Sequence, residues 1–142
     1  MDDVQAAKTL AGTFRLHSAI ATLPDGSKVE PFGPNPNGRY MLDGGRFMYT
    51  FLRAGLPHFA SNNRMQGTAE ENRSVVQGSV SGFGTYTVSD GAVVLKFEGS
   101  TFPNWTGTEI RQPLVSLTAD EIKWRIPASG GGTAEVTLKR VR

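Results

Sequence analysis

Two histidines, His17 and His58, are the only side chains in this sequence whose ordinary pKa lies near neutrality, so proton transfer would turn to them first. His17 alternates with Thr13 and Arg15, opposite Phe14 and Leu16, which is a strand-surface position. His58 lies in Leu56-Pro57-His58-Phe59-Ala60, within an irregular stretch, and is the better candidate. A second group combines flat apolar surface with a few hydrogen-bonding atoms, as a small-molecule pocket requires: Tyr49, Phe51 and Arg53 at alternate positions, and Phe102, Asn104 and Trp105. With His58, the aromatic side chains of Phe59, Tyr86 and Trp124 complete the expected ligand-binding set. If Arg53 follows Phe51 inward, its guanidinium needs an anion, which Glu98, Glu109 or a ligand carboxylate would supply. Two carboxylates can divide acid and base roles, yet Glu98 alternates with Lys96 and Glu109 with Arg111, as on a solvated face. The catalytic candidates are therefore Tyr49, Arg53, His58 and Glu98.

Much other chemistry is excluded. The chain has no cysteine, which removes disulfides, thiolate-bound zinc and thiol nucleophiles together. Two distant histidines provide no metal-ligand spacing, so no metal is expected. Gly130-Gly131-Gly132 is followed by neither Lys-Ser/Thr nor a helix, and no serine sits in a Gly-x-Ser-x-Gly elbow. No cofactor is expected. The net charge of +2 arises from interspersed charges with no basic run, so nucleic acid is not an expected partner. No window approaches the ~20 apolar residues of a membrane span. Met1-Asp2-Asp3-Val4-Gln5 lacks a basic and apolar leader, so the chain as given reads as cytoplasmic, or as secreted or periplasmic if a signal peptide was removed.

The elements that must position these residues are short strands. The 17 glycines and 8 prolines fall between brief apolar runs, the pattern of a many-turned all-β protein. Asp2–Leu10 can make about two helical turns. Strands are expected over 13–20, with Phe14, Leu16 and Ile20 on one face, and over 28–32, 39–42, 46–53, 85–89, 92–100, 107–117, 121–126 and 133–141. Asp43-Gly44-Gly45 and Asp90-Gly91 are hairpin signals. The long stretch 54–67 is the expected mouth loop. Thr68-Ala69-Glu70-Glu71 is a capping box opening a short internal helix to about Gln77, with Ala69, Val76 and Val80 able to face the body. The expected fold is all-β: one antiparallel up-and-down barrel over residues 1–142, with about eight to ten strands and one short internal helix.

The blocks Leu10-Ala11-Gly12-Thr13-Phe14-Arg15-Leu16, Gly33-Pro34-Asn35-Pro36-Asn37-Gly38, Gly84-Thr85-Tyr86-Thr87-Val88 and Glu98-Gly99-Ser100-Thr101-Phe102-Pro103-Asn104-Trp105 carry a resemblance over nearly the whole chain. By them the sequence resembles the bacterial lipocalin-like domain family. The resemblance implies a closed barrel with one open mouth and a ligand cavity. Lipocalins proper place Gly-x-Trp at the start of the first strand, with a basic residue near the chain end packed over the Trp. Phe14 holds that position here, and the resemblance implies Lys139, Arg140 or Arg142 as its cation.

The resulting expectation is a module that binds a small apolar or aromatic molecule inside a barrel. The alternative is a cofactor-independent cyclase or isomerase acting on such a molecule. A third reading is a barrel packed solid by its own side chains, acting through its surface or as a homodimer.

Overall fold

Alternation of apolar and polar residues makes each strand of this chain two-faced, and closing the sheet on itself buries all the apolar faces together. The computed structural model, which describes residues 1–142, shows that closure. Its strands are β1 (Gly12–Thr22), β2 (Lys28–Val29), β3 (Asn37–Asp43), β4 (Arg46–Leu52), β5 (Ser79–Ser89), β6 (Ala92–Ser100), β7 (Glu109–Leu117), β8 (Glu121–Pro127) and β9 (Thr133–Arg140). All pair antiparallel in the order β2-β1-β3-β4-β5-β6-β7-β8-β9, and β1 also pairs with β9. The two-residue β2 only extends one end of β1. The other eight strands form an up-and-down barrel with every central edge satisfied. No helix is long and apolar enough to cross a membrane.

The barrel has two unlike halves. At the base, Leu10, Phe14, Leu42, Val93, Leu95, Ile122 and Leu138 are all fully buried and fill the interior. The helix α1 (Asp3–Leu10) closes this end, burying Ala6 and Leu10 one turn apart. Asp2 caps it by accepting from Gln5 N, and the Asp3 carboxylate accepts from Asp90 N and Gly91 N at 2.9 and 3.2 Å, tying the helix to the β5–β6 turn. Arg140 completes the plug. Its guanidinium lies 4.6 Å from the centre of the Phe14 ring and donates to Thr9 O, Ala11 O and Ala119 O. Of the three cations the sequence offered for this role, Arg140 fills it. Gly12 is obligatory beneath it, because a Cβ there would overlap the guanidinium at a φ of +142°.

Three sequence expectations need correction. Ile20 does not share the inner face with Phe14 and Leu16. A β-bulge between Leu16 and Ser18 inserts His17 as an extra residue, so Ala19 and Ala21 point inward and Ile20 is exposed. The strand expected over 28–32 stops at Val29, since Pro31 has no N–H for a ladder. The strand expected to begin at Thr85 begins at Ser79, and Val80 belongs to it rather than to the preceding helix. Gly82 and Gly84 allow this early pairing: a Cβ on Gly82 would meet Phe97 at 2.9 Å, and one on Gly84 would strike Lys96 O. The internal helix α2 (Ala69–Gln77) opens with the expected capping box but buries no residue.

A candidate ligand cavity

The mouth half is built from smaller side chains. After the bulge, β1 presents Ala19 and Ala21, and β9 presents Ala134 opposite Ala21, so this end of the interior stays open. A cavity of about 480 Å³ results, within the range that small-molecule sites occupy. This removes the expectation of a barrel packed solid: only the base half is filled.

Aromatic rings on β3, β4 and β8 form one wall. Tyr40 stacks on Tyr49 at 4.9 Å and meets Trp124 edge-on at 5.0 Å, while Phe51 tilts against Tyr49 at 4.8 Å. At the rim, Phe32 stands edge-on to Phe51 at 5.7 Å, and Phe102 edge-on to Trp105 at 5.4 Å. Trp105 lies on a single 3₁₀ turn, Pro103–Trp105, started by the rigid φ of Pro103 and braced against Phe97. Val76 and Gln77 from the end of α2 complete the rim. Of the 26 lining residues 17 are hydrophobic and none is Asp, Glu, His, Lys or Arg, so the cavity suits a neutral, largely apolar occupant.

Of the residues singled out in the sequence, Tyr49, Phe51, Phe102, Trp105 and Trp124 meet on this wall. The others do not. Arg53 lies one residue past β4, where the chain has left the barrel. It is exposed over the 30–34 loop and has no inward path. His58 and Asn104 are exposed, and Phe59 packs against Gly67 within the 54–67 segment. That segment folds against α2 and contributes nothing to the cavity lining. Tyr86 packs near the base, by Gly45 and Asp43, where burial raises its phenol pKa. Glu98 and Glu109 face solvent, and the register sets Glu109 opposite Lys96, with the two charges 4.0 Å apart. Two lining residues had escaped notice, Tyr40 and Gln112. Both are more than nine-tenths buried, and Tyr40 Oη and Gln112 Oε1 have no hydrogen-bond partner in the protein. The alternations Tyr40/Leu42 and Ile110/Gln112/Leu114 were the available signal.

Burial pushes the Tyr40 phenol well above its ordinary pKa of 10.0, with the neighbouring Tyr49 adding to the shift, and burial raises Tyr49 likewise. Both are therefore neutral hydrogen-bonding groups, not bases. Since all three tyrosines have raised values, their stabilising effect is present in full below pH 10.0 and is lost as pH rises toward the folded values. An alkaline titration should show tyrosinate absorbance appearing together with loss of the far-ultraviolet dichroism. Ionisation of an intact barrel at the ordinary pKa would contradict the burial.

Glu71 fastens the 54–67 segment to α2. Its carboxylate accepts from Thr68 N at 2.8 Å and from Ala60 N at 3.0 Å, and these bonds, the Thr68 amide first, lower its pKa from the ordinary 4.5. A lowered folded pKa means the contribution is present in full above pH 4.5 and is lost as pH falls below that through the lowered folded pKa. Glu71→Gln should raise hydrogen exchange at the Ala60 and Thr68 amides at neutral pH and remove its pH dependence in mild acid. Unchanged exchange would show that the loop is held by other contacts.

The sequence model of the lipocalin-like domain matches residues 11–137. The chain belongs to the lipocalin-like domain family. No curated protein matches it. Among solved structures, this lipocalin-like chain is similar to a redesigned β-barrel at 16% identity, covering 96% of each chain with a TM-score of 0.49. A de novo designed fluorescence-activating β-barrel is 17% identical over 99% of this chain and 100% of its own, with a TM-score of 0.47. A redesigned barrel bound to DFHBI is 18% identical over 95% and 98%, with a TM-score of 0.45.

Proposed function

We propose that this lipocalin-like barrel binds one small, largely apolar or aromatic molecule in its mouth half. The observation that carries the reading is the 480 Å³ cavity itself, lined by aromatic rings on one side and kept open by alanines on β1 and β9. Filling it removes apolar surface from water at roughly 25 cal/mol per Å², less the cost of ordering the ligand.

Carriage is favoured over turnover. A cyclase or isomerase that moves a proton without a cofactor works best with an acid or base poised near neutrality beside its substrate. Of the four candidates, Arg53, His58 and Glu98 stand outside the cavity, and Tyr49, which lines it, is kept protonated by burial and supplies no base. The test is a titration with N-phenyl-1-naphthylamine, a neutral aromatic dye whose emission rises on leaving water. The expected result is saturable one-to-one binding in the micromolar range. Failure to bind this dye would overturn the reading.

A further inference from the structure

Tyr40 Oη and Gln112 Oε1 pose a question that an apolar cavity alone does not answer. Buried polar atoms are almost always hydrogen-bonded, and leaving one unpaired costs stability. Here two unpaired atoms belong to side chains that line the same cavity, although neither atom itself opens onto it, so a ligand must turn each side chain slightly to meet its polar atom. They come from opposite walls: β3 and β7 stand four strands apart in the ring of eight, and the Tyr40 ring reaches across to Trp124 on β8. The phenol is held neutral, so it remains a donor across the physiological range. No cation on the wall could neutralise a buried anion.

We propose that the cavity selects a neutral aromatic molecule bearing both a hydrogen-bond donor and an acceptor, of the carboxamide or phenol class, its donor meeting Gln112 Oε1 and its acceptor taking the Tyr40 hydroxyl proton. This rests on the binding reading above and adds specificity to it. The residues Tyr40 and Gln112 thereby set which ligand is held, while the aromatic wall sets how tightly. A site built to hydrogen-bond its ligand rejects analogues that leave those groups unpaired, and a fatty-acid carboxylate is rejected for want of a counter-ion.

Competition against N-phenyl-1-naphthylamine with three probes of one shape tests this: 2-naphthamide, naphthalene and 2-naphthoate at neutral pH. The expected order is 2-naphthamide about tenfold tighter than naphthalene, with 2-naphthoate weaker than both. Gln112→Leu and Tyr40→Phe should each remove that tenfold preference, read as the ratio of 2-naphthamide to naphthalene affinity measured on the same variant. Both variants should also melt at or above the wild-type temperature, because each deletes an unpaired buried polar atom. If the dye binds but the three probes compete equally, or the variants leave their order unchanged, the two atoms serve only internal water and the inference is wrong. If 2-naphthoate binds best, the neutral-ligand assignment is wrong. If the dye itself fails to bind, the binding reading falls first and takes this inference with it.

Discussion

Replacing Ala134 with phenylalanine should abolish binding of N-phenyl-1-naphthylamine while the barrel remains folded. Ala134 is buried on β9, opposite Ala21 on β1 and Ile126 on β8, and all three line the cavity. An added benzyl side chain has open space to enter, so the 1–3 kcal/mol overpacking cost of a filled core should not arise. The new ring instead occupies the ligand's place, and affinity should fall at least about a hundredfold, or ~2.7 kcal/mol. The melting temperature of the ligand-free protein should hold or rise, since apolar surface is buried where none was before. Dye titration and thermal unfolding of the same samples separate these effects. Retained affinity would show that the dye binds elsewhere.

Arg140→Ala should strongly destabilise the base. The substitution removes three donors to Thr9 O, Ala11 O and Ala119 O together with the cation over Phe14, and it takes away the side-chain ties from the chain end to the end of α1 and to the 118–120 turn. Hydrogen bonds from a charged group are worth more than neutral ones, and a loss of about 3 kcal/mol is expected after allowing for solvent at this half-buried site. For a chain of this size that corresponds to a fall in melting temperature of roughly 10 °C. Arg140→Lys should recover less than half of it, because an ammonium cannot reach three carbonyls in the plane of a fork. Melting followed by circular dichroism measures both. A loss within the usual range of surface substitutions would mean that α1 is held by Leu10 and Asp3 alone.

The inner faces could be read from alternation, as in Phe47, Tyr49 and Phe51 or Val93, Leu95 and Phe97, whereas alternation alone separates a barrel from a sandwich only weakly and the hairpin-linked strand order favoured the barrel. The base plug could be read from the resemblance carried by Gly12-Thr13-Phe14, with Arg140 as its partner. The mouth was harder to foresee. A bulge has no residue signature of its own, and the one at His17 exchanges Ile20 for Ala19 and Ala21 on the inner face, which is what leaves room for a ligand. Arg53 misled because it continues the alternation of Phe51 beyond the last paired residue, and period alone does not mark where pairing stops. Tyr40 and Gln112 were passed over because a polar residue between charged or exposed neighbours reads as surface, whereas its same-face neighbours two residues away are apolar. The five residues that do share the cavity wall were found by their aromaticity, since large flat side chains are the ones most readily turned toward an interior.

The central claim is that the open half of the barrel exists to hold a small neutral molecule. The most direct measurement is native mass spectrometry of the protein purified from its own host, followed by denaturing release and identification of whatever dissociates. The account predicts one released compound per chain, neutral, aromatic or largely apolar, and absent from the Ala134→Phe variant prepared in parallel. A clean protein mass from the host, or a charged compound retained equally by the cavity-filled variant, would contradict it.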